Sequence, residues 1–322
     1  MQRPIRISTA TQELLRCPVC KSGLNLDGQH LTCVNGRCRT VFPVVDGVPV
    51  LINEESSVFS IADSTSPGSA TFDSRRSRLV QGLIALVPSV SMNISARRNY
   101  KTFGDLMLRQ SPTARVLVVG GGILGQGMDS LVLHGSLEFV ETDVVTGPRT
   151  MLVCDAHEIP FQDESFDGVI AQAVLEHVVD PYRCVEEIHR VLKKDGVVYA
   201  ETPFMQQVHE GAYDFTRFTL LGHRRLFRRF CEIDSGAACG PGMALAWSYQ
   251  YFLMSFPLWR PLKVLVYAFA TMTSFFLKYF DYLLIDTPGG LDAASGCYFM
   301  GRKSDRTVSD KELIALYKGA MR

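Results

Sequence analysis

The sequence has no charge of either sign to spare: 33 lysines and arginines face 33 aspartates and glutamates in 322 residues. That excludes a global electrostatic pull toward nucleic acid and leaves only local basic patches to consider. The opening stretch, MQRPIRISTATQELLRCPVC, holds no apolar core of signal-peptide length, so the expected location is the cytoplasm. A helix that crosses a bilayer needs roughly 20 apolar residues, and the run before Val264 is broken by Pro257 and carries Gln250 and several hydroxyls. Val264–Leu277, at 14 residues, falls short. No internal repeat is visible. Cysteine, by contrast, is present in an odd number, nine, which no full set of disulfides can absorb. Hydrophobic residues at 47% and charged residues at 20% are ordinary for a globular chain long enough for one large domain and one small one.

Four segments follow one another. Residues 10–53 form a cysteine module. Residues 54–74, EESSVFSIADSTSPGSATFDS, are rich in Ser, Thr, Ala and Asp and read as a linker. Residues 75–303 form the main domain, with helices expected from Arg75 to about Gln110 and strands alternating with helices beyond Ala114. Residues 304–322 read as a helical tail.

Cys17, Cys20, Cys33 and Cys38 fall within the first forty residues, spaced Cys-x2-Cys, twelve residues, Cys-x4-Cys. Each pair suits a turn that presents two thiolates to one tetrahedral ion, and zinc favours such a donor set. Four protein ligands close the shell, so the ion is structural and His30 stays outside it. The competing reading is four unrelated buried cysteines. Residues 14–52 resemble the small zinc-ribbon proteins that activate tRNA, rRNA and protein methyltransferases. The Cys-Pro-x-Cys knuckle and the closing run Phe42-Pro43-Val44-Val45-Asp46-Gly47-Val48-Pro49 carry that likeness, and the second pair is wider than the usual spacing of two.

Arg115-Val116-Leu117-Val118-Val119 leads into Gly120-Gly121-Gly122-Ile123-Leu124-Gly125. A buried strand, a glycine turn and a helix let backbone approach a ligand closely, but this pattern alone fits a dinucleotide-binding dehydrogenase equally well. The residues downstream decide. Leu137–Asp143 is a second strand ending in acid, where a carboxylate can accept hydrogen bonds from both ribose hydroxyls of a cofactor. Met151–Phe161 is a third, carrying Asp155-Ala156. Glu164–Val178 supplies Ser-Phe-Asp and Leu-Glu-His-Val. Glu187–Tyr199 supplies Arg-Val-Leu-Lys-x-x-Gly.

Taken in order, residues 115–200 resemble the class I S-adenosylmethionine-dependent methyltransferases. The fold this implies is α/β and Rossmann-like: a mostly parallel seven-stranded sheet with helices on both faces, here preceded by the small zinc ribbon. The implied cofactors are S-adenosyl-L-methionine and structural Zn2+. The resemblance places Gly120, Gly122 and Gly125 at the methionine end, Asp143 on the ribose, Asp155 and Ala156 at the adenine, and Gln172 and Ala173 past the fourth strand. Glu141 is the other candidate for the ribose. Val118 stands where many members carry an acid, so the methionine amino group needs another acceptor, such as loop carbonyls or Gln172.

Methyl transfer from a sulfonium is an in-line displacement that needs a positioned nucleophile and a base for its proton. The catalytic candidates on the loops at the strand ends are His209, Asp214 and His177. The segment His209-x4-Asp214-Phe215-x-Arg217-Phe218-Thr219 resembles that of a bacterial methyltransferase subgroup, some of whose members belong to surface-glycan pathways. Arg217 is then a candidate for an anionic substrate group. Alternatively, Asp214 and Arg217, three apart, form a structural ion pair.

Residues 243–285 are unusually apolar and aromatic. One reading is a helical lid packed on the sheet between strands five and six. The other is an interfacial helix pair with Trp247 and Trp259 at the lipid boundary and Arg260, Lys263 and Lys278 near head groups, a peripheral contact at the inner face of a membrane. Ala294–Lys303 reads as the closing strand. The expected partner is a small-molecule or glycan acceptor, lipid-linked in the second reading, methylated on oxygen. Two alternatives remain. One is a tRNA- or rRNA-modifying enzyme that uses Arg37 and Arg39 of the ribbon to hold RNA. The other is a non-catalytic cofactor-binding module.

Overall fold

The computed structural model describes residues 4–27, 29–65, 88–132, 135–257 and 259–320. The end of the expected linker, 66–74, and the start of the expected main domain, 75–87, lie outside the described residues.

The N-terminal module contributes β1 (Leu24–Asp27), β2 (His30–Cys33), β3 (Val41–Val45) and β4 (Val48–Leu51). The main domain contributes β5 (Arg115–Val119), β6 (Glu138–Asp143), β7 (Leu152–Cys154), β8 (Phe166–Gln172), β9 (Leu192–Pro203), β10 (Phe230–Cys239) and β11 (Gly296–Lys303). Among the described residues, five α-helices run seven residues or longer: α1 (Ala96–Gln110), α2 (Pro181–Val191), α3 (Leu220–Leu226), α4 (Pro241–Met254) and α5 (Arg260–Ser274).

The strands form one sheet of eleven in the order β1-β2-β3-β4-β7-β6-β5-β8-β9-β11-β10. The main domain supplies the expected seven, but the sheet does not stop there. Strand β4 pairs in parallel with β7, Val50 opposite Val153 and Leu51 opposite Cys154, so the ribbon continues the sheet instead of standing apart from it. The reason lies in β7. Without β4 it would be an edge of unpaired backbone groups, which folded chains cover. The covering strand, Val-Pro-Val-Leu, is buried at all four positions. The pairings from β4 across to β9 are parallel, and β11 and β10 close the far side antiparallel.

Alternation along β5 splits the core into two layers. Leu117 and Val119 pack with Cys184, Val185, Ile188 and Val191 of α2 on one face. Val116 and Val118 pack with Tyr100, Phe103 and Met107 of α1 on the other, an i, i+3, i+7 stripe. Helix α2 starts sharply because Pro181 follows Asp180, whose side chain accepts from the Tyr182 and Arg183 N–H groups. Leu15, Cys17, Leu31, Cys33 and Phe42 of the ribbon join the α2 layer, so ribbon and sheet share a core.

Strand β10 corrects the sequence reading, which passed from the fifth strand straight to the apolar stretch. Its residues, FCEIDSGAAC, mix charge and small side chains because β10 is the sheet's outer edge and pairs on one side only. The apolar stretch therefore lies between β10 and β11, the sixth and seventh strands of the domain. It folds as α4 and α5, held together by the buried Gln250–Thr271 hydrogen bond of 2.7 Å. Ile285 packs with Ala237 of β10 and Cys297 of β11, and Met243, Ala244 and Ala246 are buried, but much of the apolar surface is left exposed. Phe252 is 63% exposed, Trp259 69% and Leu283 77%. No helix of the described residues is long and apolar enough to cross a membrane.

Val50 is fully buried between β3 and β7. Val50→Asp, which strands a carboxylate there, should cost about 4 kcal/mol or more. Thermal denaturation checks this, and an unshifted midpoint would mean that β4 is not part of the cooperative core.

Candidate active site

The strand β5 delivers its chain end to Gly120, whose φ of +70° turns the backbone over the sheet edge. A Cβ there would meet Val174 Cγ2 at 2.3 Å, so only glycine fits. Two residues on, the Gly122 N–H donates to Asp143 Oδ2 at 3.0 Å. The Val144 N–H donates to the other oxygen, Oδ1, at 2.8 Å. The acid at the end of β6 is thus locked to the glycine loop. Burial pushes the Asp143 carboxyl above its usual range against the pull of these N–H groups. At Gly125 a Cβ would stand 2.0 Å from Gln172 Oε1, so a larger residue would displace that side chain.

A cavity of about 570 Å³ opens where β5, β6, β7 and β8 end, the crevice in which open α/β sheets bind ligands. Gly120, Asp143, Asp155, Ala156 and Ala173 line it, and Gly122, Gly125 and Gln172 are not among its lining residues. Ala173 adopts φ +54°, a left-handed turn just past β8. Gln172 is committed elsewhere. It accepts from the Tyr100 hydroxyl at 2.9 Å and donates to Glu201 Oε2 at 2.8 Å. Glu141 pairs with Arg149 and is also absent from the lining. Asp155 accepts from the His157 ring and from the Ser57 hydroxyl, both at 2.5 Å. Burial raises its carboxyl, but these bonds outweigh burial and hold it below the usual range.

Ser57 belongs to the described part of the expected linker. Of residues 54–65, Phe59, Asp63 and Ser64 line the cavity. Phe59 stacks on Tyr213 with ring centroids 5.5 Å apart, joining this segment to the loop after β9. The low apolar content of the segment gave no signal of this packing.

The loop after β9 brings His177 and His209 together, ring edge to face at 4.9 Å. Asp214 and Arg217 form the ion pair that their spacing allows. Arg217 also donates to the Gln206 carbonyl at 2.8 Å and the Gln207 carbonyl at 3.0 Å, so its guanidinium clamps the loop. The Arg217 pair holds the Asp214 carboxyl far below the ordinary carboxylate range. Asp214 Oδ2 accepts the His209 N–H at 2.9 Å and lies 3.5 Å from His209 Nδ1. The sequence reading passed over Glu176 and Trp247 in this region. Glu176 is fully buried beside His177, and the Trp247 ring lies 6.2 Å from that of His209.

In the ribbon, one sulfur from each of Cys17, Cys20, Cys33 and Cys38 lies within 4.8 Å of the others. The Cys20–Cys33 and Cys17–Cys38 separations are 3.4 and 3.8 Å. A tetrahedron with Zn–S bonds of about 2.3 Å has edges near 3.8 Å, so the donor set fits zinc. Burial pushes the Cys17 thiol up to about 12, and hydrogen bonds from Ser22 draw Cys20 down to about 6. A bound cation holds such thiols as thiolates.

Comparison with known proteins matches two separate segments of the chain. Residues 9–47 match the Trm112p-like protein family, and residues 128–200 match the methyltransferase domain family. A UPF0434 protein of Delftia acidovorans (strain DSM 14801 / SPH-1) is 46% identical over 44 residues, 14% of this chain and 73% of that protein. The mitochondrial arginine-hydroxylase NDUFAF5 of Mus musculus is 32% identical over 99 residues, 28% of this chain. The match spans only 28% of the mouse protein's length. The solved structure of Haemonchus contortus phosphoethanolamine N-methyltransferase 2 with S-adenosyl-L-methionine is 18% identical, with 67% of this chain and 55% of that one covered and a TM-score of 0.40.

Metal-dependent folding couples directly to stability. Stripping the metal with a chelator at neutral pH should lower the melting midpoint by about 10 °C or more. An unchanged midpoint with metal loss verified by elemental analysis would remove the structural role of the cluster.

Proposed function

The chain carries an N-terminal module of the Trm112p-like family joined to a methyltransferase domain, and we propose that it methylates an oxygen of a glycan acceptor presented at a lipid surface. The observation that carries this reading is the cavity at the ends of β5 to β8, with Asp143 tied to Gly122. Its volume suits a nucleoside-sized ligand, and its lining is mostly apolar with few polar groups. Asp143 would accept from the ribose hydroxyls and Asp155 from the adenine amino group, against Ala156. Gly120, Gly122 and Gly125 shape the loop at the methionine end, and Ala173 turns the chain beside it. Gln172 supports this region through Tyr100 and Glu201. S-adenosylmethionine, when bound, supplies a methyl carbon made electrophilic by its sulfonium.

The chain's own residues bind, orient and handle a proton. In this reading His209 would take up the acceptor hydroxyl's proton, with His177 beside it. Asp214 is a positioning residue, because it holds the His209 backbone and is itself gripped by Arg217. The ribbon serves in cis the stabilising role that separate zinc-ribbon subunits serve for other methyltransferases. Strand β4 fixes β7, which ends next to Asp155.

Helices α4 and α5 support the lipid-surface part. From residue 241 to residue 280 there is no Asp or Glu, and Arg260, Lys263 and Lys278 are the charged residues. The surface that exposes Phe252, Trp259, Leu265 and Phe269 is thus apolar with only positive charge, suited to an anionic bilayer. It also touches the acceptor loop. Tyr251 donates to the Val208 carbonyl at 2.6 Å, and Gln207 donates to Ser248 at 3.1 Å.

Calorimetric titration should show S-adenosylhomocysteine binding that Asp143→Ala weakens at least about tenfold, the equivalent of one lost charged hydrogen bond. A preference for NAD, or an unaffected variant, would defeat the cofactor reading. Separately, the protein should sediment with phosphatidylglycerol vesicles and less with phosphatidylcholine. Trp259→Glu should release it, and a wild-type protein left wholly in the supernatant would rule the lipid surface out.

A further inference from the structure

Glu176 is the most costly residue in the acceptor region. Its side chain is 0% exposed, and neither carboxylate oxygen has a hydrogen-bond partner within the protein. Buried polar groups without partners are rare in folded proteins and call for an explanation. Burial pushes this carboxyl up to about 8. Arg217 relieves it only in part, because that guanidinium binds Asp214 in bidentate fashion and the Asp214 charge acts in the opposite sense. The imidazole of His177 is nearest, with Nε2 at 3.6 Å from Oε1.

The two histidines beside it are oriented for a common purpose. His177 Nδ1 lies 2.8 Å from the Tyr213 carbonyl oxygen, and His209 Nδ1 lies 3.2 Å from the Gln207 carbonyl oxygen. A carbonyl only accepts, so each Nδ1 carries the proton and donates it. Each Nε2 then carries a lone pair. Metal-bound histidines are held in this way, one ring nitrogen donating to a backbone carbonyl while the other faces the ion. One ligand atom from each of Glu176, His177 and His209 lies within 4.8 Å of the others. Around an ion with bonds of about 2.0–2.1 Å such atoms sit about 3.3 Å apart, so small side-chain movements complete the shell.

We infer that Glu176, His177 and His209 form a second metal site, separate from the cysteine cluster, for a first-row divalent transition metal. Two imidazoles and one carboxylate suit manganese, iron(II), cobalt or zinc, whereas magnesium and calcium prefer sites made of oxygen alone. Three protein ligands leave at least one coordination position open. His177, Glu210 and Tyr213 line the cavity, so the site borders the space an acceptor would enter. On the methyl-transfer reading given above, the open position takes the acceptor's hydroxyl oxygen, and an acceptor with two adjacent hydroxyls chelates the ion. The ion lowers the hydroxyl's pKa, and the O–H proton leaves to water. The alkoxide oxygen then forms the new O–CH3 bond as the S–CH3 bond breaks and its electron pair returns to sulfur. With the ion in place, His209 is a ligand and no longer the base.

The test is Mn2+ binding by the full chain with its cysteine site already loaded with zinc, read from the loss of the free Mn2+ electron paramagnetic resonance signal. The wild-type protein should take up one Mn2+ per chain. Glu176→Gln and His209→Ala should each weaken that uptake at least tenfold, with circular dichroism showing that each variant is folded. Should Glu176→Gln fail to fold, His209→Ala carries the comparison from a partly exposed loop. No uptake by the wild-type protein, or equal uptake by a folded variant, overturns the site. The cofactor titration separates this from the methyl-transfer reading. Mn2+ uptake without S-adenosylhomocysteine binding leaves the metal site standing alone, whereas the reverse removes the metal site and keeps the cofactor.

Discussion

The pairing of β4 with β7 is the constraint on which the rest of the molecule depends. It is short, with Val50 opposite Val153 and Leu51 opposite Cys154, but it lies at the junction of three requirements. It satisfies backbone groups of β7 that would otherwise form a bare edge. It places the residues after β4 beside the cavity, where Asn53 donates to Glu158 at 3.0 Å and Ser57 to Asp155. It also merges the ribbon's core with that of the sheet, since Cys17 and Cys33 pack in one cluster with Val140 and Leu152. Two of the metal-binding sulfurs are thus rooted in the layer that supports the cavity floor. Disorder in the ribbon would reach Asp155 through one strand pairing and a few hydrogen bonds.

Much of this was legible because the chemistry needs unusual residues at fixed spacing. Thiolate pairs, a glycine turn and an acid at a strand end leave signatures that survive without any knowledge of contacts. Strands β5 to β9 are also plain, as buried parallel strands read as continuous apolar runs. Strand β10 leaves little sequence signal because one edge is unpaired and Glu232, Asp234 and Ser235 interrupt its apolar residues. The segment 54–65 reads as linker because its contacts are made by isolated residues, Ser57 and Phe59, in a polar background. Arg217 could not be divided between substrate and loop by spacing alone, and the Gln206 and Gln207 carbonyls that engage it become neighbours only once the loop closes. The meeting of His177 with His209 is likewise a property of the fold, since they lie on different loops.

The acceptor side sets two carboxylates against each other. Asp214 is saturated by Arg217 and by the His209 N–H, and stays charged. Glu176, close by, is stripped of water and of partners, so its charge is costly. Environments that push two acids apart are a mark of functional sites, since a uniform site would not differentiate them. Here the division of labour follows from geometry. The saturated acid makes the loop rigid, and the deprived one supplies an oxygen that a cation would satisfy.

The same loop is gripped from outside. Tyr251 and Ser248 of α4 hold the carbonyl of Val208 and the side chain of Gln207, immediately before His209. Asp281 anchors the start of α4 by accepting from the Gly242 N–H at 2.6 Å and the Met243 N–H at 3.0 Å. The helix is thus fixed at its N-terminus and joined to the histidine loop further along. Apolar residues left in water on that face are expensive unless something covers them. That exposed face lies one hydrogen bond away from the chain that orients His209, through Tyr251 and the Val208 carbonyl.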